Sequence, residues 1–155
     1  MSPHFREGIA GVVYRLKDSK IEYLLLYGLR HGRGWKLLKG SHRNMPEIEV
    51  LNKELEDEVK LKAKKVQKIP FRITYEFPKW RQRGYQVMGQ DLQVYAVEVD
   101  PTAQVQPDFR ENFDYHWAGL NEAKKILKLE SHKNALEKAD ELIRKQLDTE
   151  RKVRE

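Results

Sequence analysis

The chain contains no cysteine, so neither disulfides nor a thiolate metal site can contribute to it. That absence fits a cytoplasmic setting. No apolar run approaches the roughly 18 residues that a membrane span needs. The opening MSPHFREG has no apolar signal core. Strand character starts at Gly8, which leaves little room for a presequence. There is no internal repeat and no low-complexity segment. His4, His31, His116 and His132 show no metal-ligand spacing, and His42, just after a glycine turn, either touches phosphate or is a surface residue.

What is abundant is charge. Of 155 residues, 35% are charged and 39% hydrophobic, which suffices for one core in one domain. Thirty Lys and Arg against 24 Asp and Glu leave a net charge of +6. Such a field favours polyanionic partners: nucleotides, RNA or acidic lipid surfaces. Part of the excess is a basic tail, Arg144-Lys145 and Arg151-Lys152-Val153-Arg154.

The apolar pattern reads as strands, then a helix, then strands and helices. Gly8 to Leu16 and Ile21 to Leu29 are strands joined by a polar turn. Arg30 to Gly34 is a loop, and Trp35 to Lys39 a short strand. A helix runs from about Met45 to Leu61. Val66 to Phe77 and Tyr85 to Val99 are strands around a basic loop, Pro78 to Gly84. Ala103 to Arg110 is a loop, and Tyr115 to Ala118 a short strand. Asn121 is positioned to cap a helix through Leu127, and Ser131 a longer one with Leu136, Ala139, Leu142 and Ile143 as its stripe. This order predicts an α/β fold, a mixed sheet with helices on both faces.

The segment from Trp35 to Leu61 is the most informative. A short apolar strand, a Lys39-Gly40 turn and a helix with six carboxylates follow in succession. Hard oxygen donors beside a glycine turn suit a Mg²⁺-phosphate site. Asn44 is placed to cap the helix, Pro46 suits its first turn, and Glu47 takes the capping-box position. At about 100° per residue, Glu54 and Glu58 share a face, Asp57 lies beside them, and Glu47 falls on that face nearly two turns earlier. Ile48, Leu51, Leu55 and Val59 form the adjoining apolar stripe. Glu49–Lys53, Lys53–Asp57 and Glu56–Lys60 are spaced as surface ion pairs, which account for much of the charge if the helix is merely solvated.

This segment resembles the Nudix box, a glycine turn followed by a helix reading Arg-Glu-apolar-x-Glu-Glu-x-Gly-apolar. Here the helix reads Lys53-Glu54-Leu55-Glu56-Asp57-Glu58-Val59-Lys60-Leu61. Trp35 and Lys39-Gly40 resemble the "W-x-x-P-K-G" entry of diadenosine tetraphosphate hydrolases and RNA pyrophosphohydrolases, with Leu38 in place of proline. Gly89-Gln90 is similar to the "G-Q-x-Q-x-x-F" strand of the latter, and Tyr75-Glu76-Phe77-Pro78 to their "Y-D-F-P". Glu111 to Trp117, ENFDYHW, resembles the "E-H-x-x-Y-R-W" of dinucleoside tetraphosphate hydrolases. The resemblance spans residues 7 to 145. The box is degenerate: the turn is one residue short, Met45 stands at the first box glutamate, Lys53 replaces arginine and Lys60 replaces the closing glycine.

The resemblance implies a Nudix-type α/β/α sandwich, one domain over 1–155 with a core over about 7–145. It implies a metal-dependent hydrolase of nucleoside polyphosphates, dinucleoside tetraphosphates foremost, using Mg²⁺ or Mn²⁺. Glu54, Asp57 and Glu58 would be metal ligands, joined by the carbonyl near Lys39. Glu111 would be a further ligand or the general base, so that Glu54, Glu58 and Glu111 form the catalytic set. Glu58 is expected on an exposed face. Lys39, Arg33, Arg81 and Arg83 have the charge to meet phosphate oxygens. Tyr75, Phe77, Tyr85 and Tyr115 either stack on a base or fill the core. Two alternatives stay open: a 5′-end RNA pyrophosphohydrolase, or a catalytically inactive Nudix-fold protein that binds RNA or a protein. No membrane partner is expected, and the oligomeric state is open.

Overall fold

Two long strands, β1 (His4–Lys17) and β2 (Lys20–Gly28), form a hairpin on which the rest is assembled. Its turn residues Asp18 and Ser19 both have positive φ, 52° and 65°. Positive φ at both positions gives the turn a twist that matches paired strands. A computed structural model describes residues 4–28, 34–41, 44–77, 87–108 and 112–154. Beyond the hairpin come β3 (Gly34–Lys36), β4 (Leu38–Ser41), α1 (Glu47–Val59), β5 (Lys65–Glu76), β6 (Val87–Glu98), β7 (Asn112–Ala118), α2 (Leu120–Ile126) and α3 (Glu130–Arg154).

The strands form one seven-stranded mixed sheet. β1 runs parallel to β6, from His4↔Val87 to Tyr14↔Glu98. The other pairings are antiparallel. β6 pairs with β5, and β2 pairs with β7. β1 and β2 pair only from Tyr14↔Tyr23 to the turn. Beyond that they diverge. β3 pairs with β2 and β4 with β1, so one extended segment fills the opening.

Alternation along the strands divides the core into two layers. Ile9, Val13, Leu24, Leu26 and Val97 pack under Leu51, Leu55 and Val59 of α1. Ala10, Val12, Leu25, Ile73 and Val94 pack under α2 and α3, against Ala123, Leu136, Ala139 and Ile143. This is the α/β/α sandwich expected from the element order. Among the described residues no helix is long and apolar enough to cross a membrane.

Several local expectations are corrected. Asn44 does not cap α1: it has φ 58°, and Pro46 is the N-cap, with no side-chain hydrogen bond. Ile48 is 43% exposed and leaves the apolar stripe, while Val50 is buried in its place. α2 starts from Gly119, one residue before Leu120 and two before Asn121. Ser131 lies inside α3, which begins at Glu130. Capping requires a non-helical backbone as well as the right side chain, and pattern alone does not reveal that backbone.

Candidate active site

α1 leaves Pro46 and presents its carboxylates in three different surroundings. Glu47 accepts a hydrogen bond from the Tyr95 hydroxyl at 2.9 Å. Burial, and then Glu47 itself, push the Tyr95 pKa up to about 12. Lys53 donates to Asp57 Oδ2 at 2.8 Å. Both side chains are more than half exposed, and the bond to Asp57 raises the Lys53 pKa. Lys53 therefore pairs within its own helix, and Glu47 turns to the sheet.

Glu54 and Glu58 lie one turn apart on the sheet-facing side. Glu54 rests on Gly40: a Cβ added there would come within 2.5 Å of Glu54 Cγ and 2.9 Å of Cδ. Glycine at position 40 is what admits the carboxylate. Glu58 is only 6% exposed, against the expectation of an exposed face. The reason is the loop over the last turn. Asp108 N donates to Glu58 O at 2.8 Å and Gln106 N to Val59 O at 3.0 Å, so backbone from another part of the chain covers the helix end.

The helix closes on Lys60, which stands where the box has glycine and adopts the left-handed conformation, φ 61° and ψ 36°. Lys60 N donates to Glu56 O at 3.1 Å, and Leu61 N to Leu55 O at 3.3 Å. The first is the 5→1 bond of a left-handed C-cap. Leu61 is buried behind it.

On the opposite face of β4, Lys39 meets two other strands. Its Nζ donates to the Tyr75 hydroxyl at 3.1 Å and to Gln90 Oε1 at 3.4 Å, and lies 5.7 Å from the Tyr75 ring centre. The Tyr75 hydroxyl donates in turn to Gln90 Oε1. Phe77 stands edge-on to Tyr75 at 5.9 Å. Register explains the split: Lys39 faces Ala10, under α3, whereas Gly40 faces Ile9, under α1. One dipeptide thus joins a cationic, aromatic cluster on one face to an acidic helix on the other.

Tyr115 is 36% exposed and pairs with Leu26 on the α1 face. Three strands, β2, β1 and β6, lie between its strand and that of Tyr75, so the two tyrosines do not share one stacking surface. Arg33, Arg81, Arg83, Tyr85, Glu111 and His42 lie outside the described residues.

A divalent ion needs hard oxygen donors, and Glu54 with the buried Glu58 provides two carboxylates on one helix face. Asp57, beside them on the helix, accepts a hydrogen bond from Lys53 at its Oδ2. Among the described residues no three His, Asp or Glu side chains form a group that could hold a metal. The donor chemistry fits Mg²⁺ or Mn²⁺, with Glu54 and Glu58 as its described members. Gln90, part of the Gly89-Gln90 match but not among the expected binding side chains, is a further binding candidate. Its signal was the alternation of β6, where Gln90 is the polar end of the row Leu92, Val94 and Ala96.

No protein-family model and no curated protein sequence matches the chain. Solved structures do. A Caenorhabditis elegans Ap4A hydrolase in a binary complex superposes with TM-score 0.73 at 19% identity, over 89% of this chain and 97% of that one. The Escherichia coli dihydroneopterin triphosphate pyrophosphohydrolase gives 0.70 at 18%, over 86% and 94%. The NUDIX domain of Shewanella oneidensis NrtR, solved with ADP ribose, gives 0.66 at 13%, over 90% and 88%. The chain therefore has the fold of the Nudix hydrolases.

Proposed function

We propose, from that Nudix fold and the residues set into it, that the protein is a metal-dependent hydrolase of nucleoside polyphosphates, with dinucleoside tetraphosphates as the leading substrates. The observation that carries this is the Lys39-Gly40 dipeptide, with Glu54 packed on the glycine and Glu58 buried one turn further on. Phosphoanhydride cleavage requires charge neutralisation, an activated water and in-line geometry. A bound Mg²⁺ or Mn²⁺ supplies polarisation of the phosphate and a lowered water pKa.

The chain's own groups supply the rest. Glu54 and Glu58 would hold the ion, with Asp57 and Glu111 as the further acids of the set. Glu111 is also the candidate to take the proton from the attacking water. Lys39 offers a point charge to a phosphate oxygen, and Arg33, Arg81 and Arg83 offer planar forks. Tyr75, Tyr85 and Tyr115 offer ring faces to a base.

A second reading is a Nudix-fold protein that binds RNA or a protein partner without turnover. The engagement of Asp57 by Lys53, and of Glu47 by Tyr95, favours it, because both carboxylates then have side-chain partners of their own. The test is incubation with dinucleoside tetraphosphates, nucleoside triphosphates and 5′-triphosphorylated RNA, each with Mg²⁺ and Mn²⁺, followed by product chromatography. Mononucleotide products from the dinucleoside substrate are expected. Release of diphosphate or phosphate from RNA alone would reassign the substrate to RNA 5′ ends. No product from any substrate with either metal would favour the binding reading.

A further inference from the structure

Between β3 and β4 the chain changes partners, from β2 to β1. Leu37 is the residue at the switch. It belongs to neither ladder and is fully buried. A buried N–H left without an acceptor loses its hydrogen bond to water and gains nothing in return. The acceptor here is a side chain: Leu37 N donates to His132 Nδ1 at 3.2 Å, across 95 residues of sequence. His132 is itself fully buried, near the start of α3.

The same α2–α3 junction holds the chain two residues earlier. Lys128 N donates to Trp35 O at 3.2 Å, and Trp35 and Leu127 form an isolated parallel bridge. The backbone of residues 35 to 37 is thus fixed from behind by residues 127 to 132. Side chains alternate along an extended segment, so Leu37 and Lys39 project to the same side, toward α3. The switch is placed two residues before Lys39 and three before Gly40.

We propose that His132 is a positioning residue, whose Nδ1 fixes the strand switch at Leu37 and so sets where Lys39 and Gly40 stand. The catalytic consequence rests on the reading of Lys39 as a phosphate contact. Since Nδ1 accepts, the ring is neutral with its proton on Nε2, which is buried without a partner among the described residues. Burial, and then Lys39 and Lys36, oppose a second proton. A histidine that merely filled the core would need neither this tautomer nor this acceptor.

The tautomer is read first, in the unmodified protein, from ring ¹⁵N shifts. Protonation at Nε2 is expected from pH 8 to pH 4, and an Nδ1–H ring overturns the proposal. Next come His132→Phe, which fills the space without an acceptor, and His132→Asn, whose Oδ1 can replace Nδ1. Amide exchange at residues 37 to 40 should accelerate at least tenfold in the Phe variant, with β6 amides unchanged, and return toward normal in the Asn variant. In turnover of a dinucleoside tetraphosphate, the Phe variant should show KM raised about tenfold with kcat changed much less, as expected when a binding contact is displaced. Exchange that rises equally across the sheet, or an unaltered KM beside a lowered melting temperature, means that His132 only stabilises the fold. If the unmodified protein hydrolyses nothing, the functional reading fails, and the exchange pattern alone still decides the positioning claim.

Discussion

Lys60 carries a conformation made for another residue. A left-handed backbone costs an L-residue about 1–2 kcal/mol, and glycine avoids that cost while losing more entropy on folding. Lys60→Gly should therefore stabilise the protein by about 1 kcal/mol net, seen as a higher urea midpoint. An unchanged or lower midpoint would mean that the lysine side chain contributes contacts which offset the strain. His132 gives a pH-dependent test. Its pKa is lowered to about 3 from an ordinary 6.5. The unfolded chain therefore takes up the proton first, and stability is full above about pH 6.5 and falls as pH drops toward 3. The slope from this one group is at most about 1.4 kcal/mol per pH unit. Urea midpoints at pH 7, 6, 5 and 4 should show a shallower fall in His132→Asn than in the unmodified protein. Parallel curves would remove His132 as the cause. Single residues of this kind were the least legible in the sequence. Lys60 was visible as a departure from the box, but nothing in its neighbours announced a left-handed C-cap. His132 was visible only as an isolated histidine, because its partner is 95 residues away.

Elements were far more legible than their ends. β1, β2, β5 and β6 follow apolar runs that need no tertiary information to recognise, and α1 follows its carboxylate and leucine spacing. Caps failed at Asn44, Asn121 and Ser131, since each had the right side chain at the wrong backbone angle or place. α1 also shows the limit of counting angles. Glu54 and Glu58 do share a face, but only the loop at residues 106–108 explains why Glu58 is buried. α3 is attached to the sheet by a polar contact that no local pattern signals. The buried Tyr23 hydroxyl donates to Asp140 Oδ1 at 2.5 Å, and Arg144 Nε donates to Oδ2 at 2.9 Å. Burial, and then the bond to Asp140, raise the Tyr23 pKa far above the ordinary tyrosine value. Tyr23→Phe keeps the ring and deletes the donor, leaving a buried carboxylate with one partner fewer. A loss of about 1–3 kcal/mol is expected, measured by urea denaturation. A midpoint equal to that of the unmodified protein would show that Arg144 alone satisfies Asp140.

At the scale of the whole molecule, the sheet brings together what the chain keeps apart. Lys39, Tyr75 and Gln90 meet across β4, β5 and β6 at sequence separations of 36 and 51 residues. Motif order suggested that these segments belonged to one site, but it did not reveal that Lys39 and the Gly40 against which Glu54 packs face opposite sides of β4. That division follows from pairing register, which a sequence read in isolation leaves undetermined. The central claim is that the α1 carboxylates beside Lys39-Gly40 support metal-dependent hydrolysis of a phosphoanhydride. Its most direct test is the initial rate of dinucleoside tetraphosphate hydrolysis at saturating Mn²⁺, for the unmodified protein and for Glu58→Gln, with melting temperatures recorded for both. The account predicts turnover by the unmodified protein and a loss of more than about 100-fold in the variant, since a metal ligand should matter at least as much as its supporting partners, with a melting temperature close to the original. A variant that turns over substrate at the original rate, or an unmodified protein that yields no product, would contradict it.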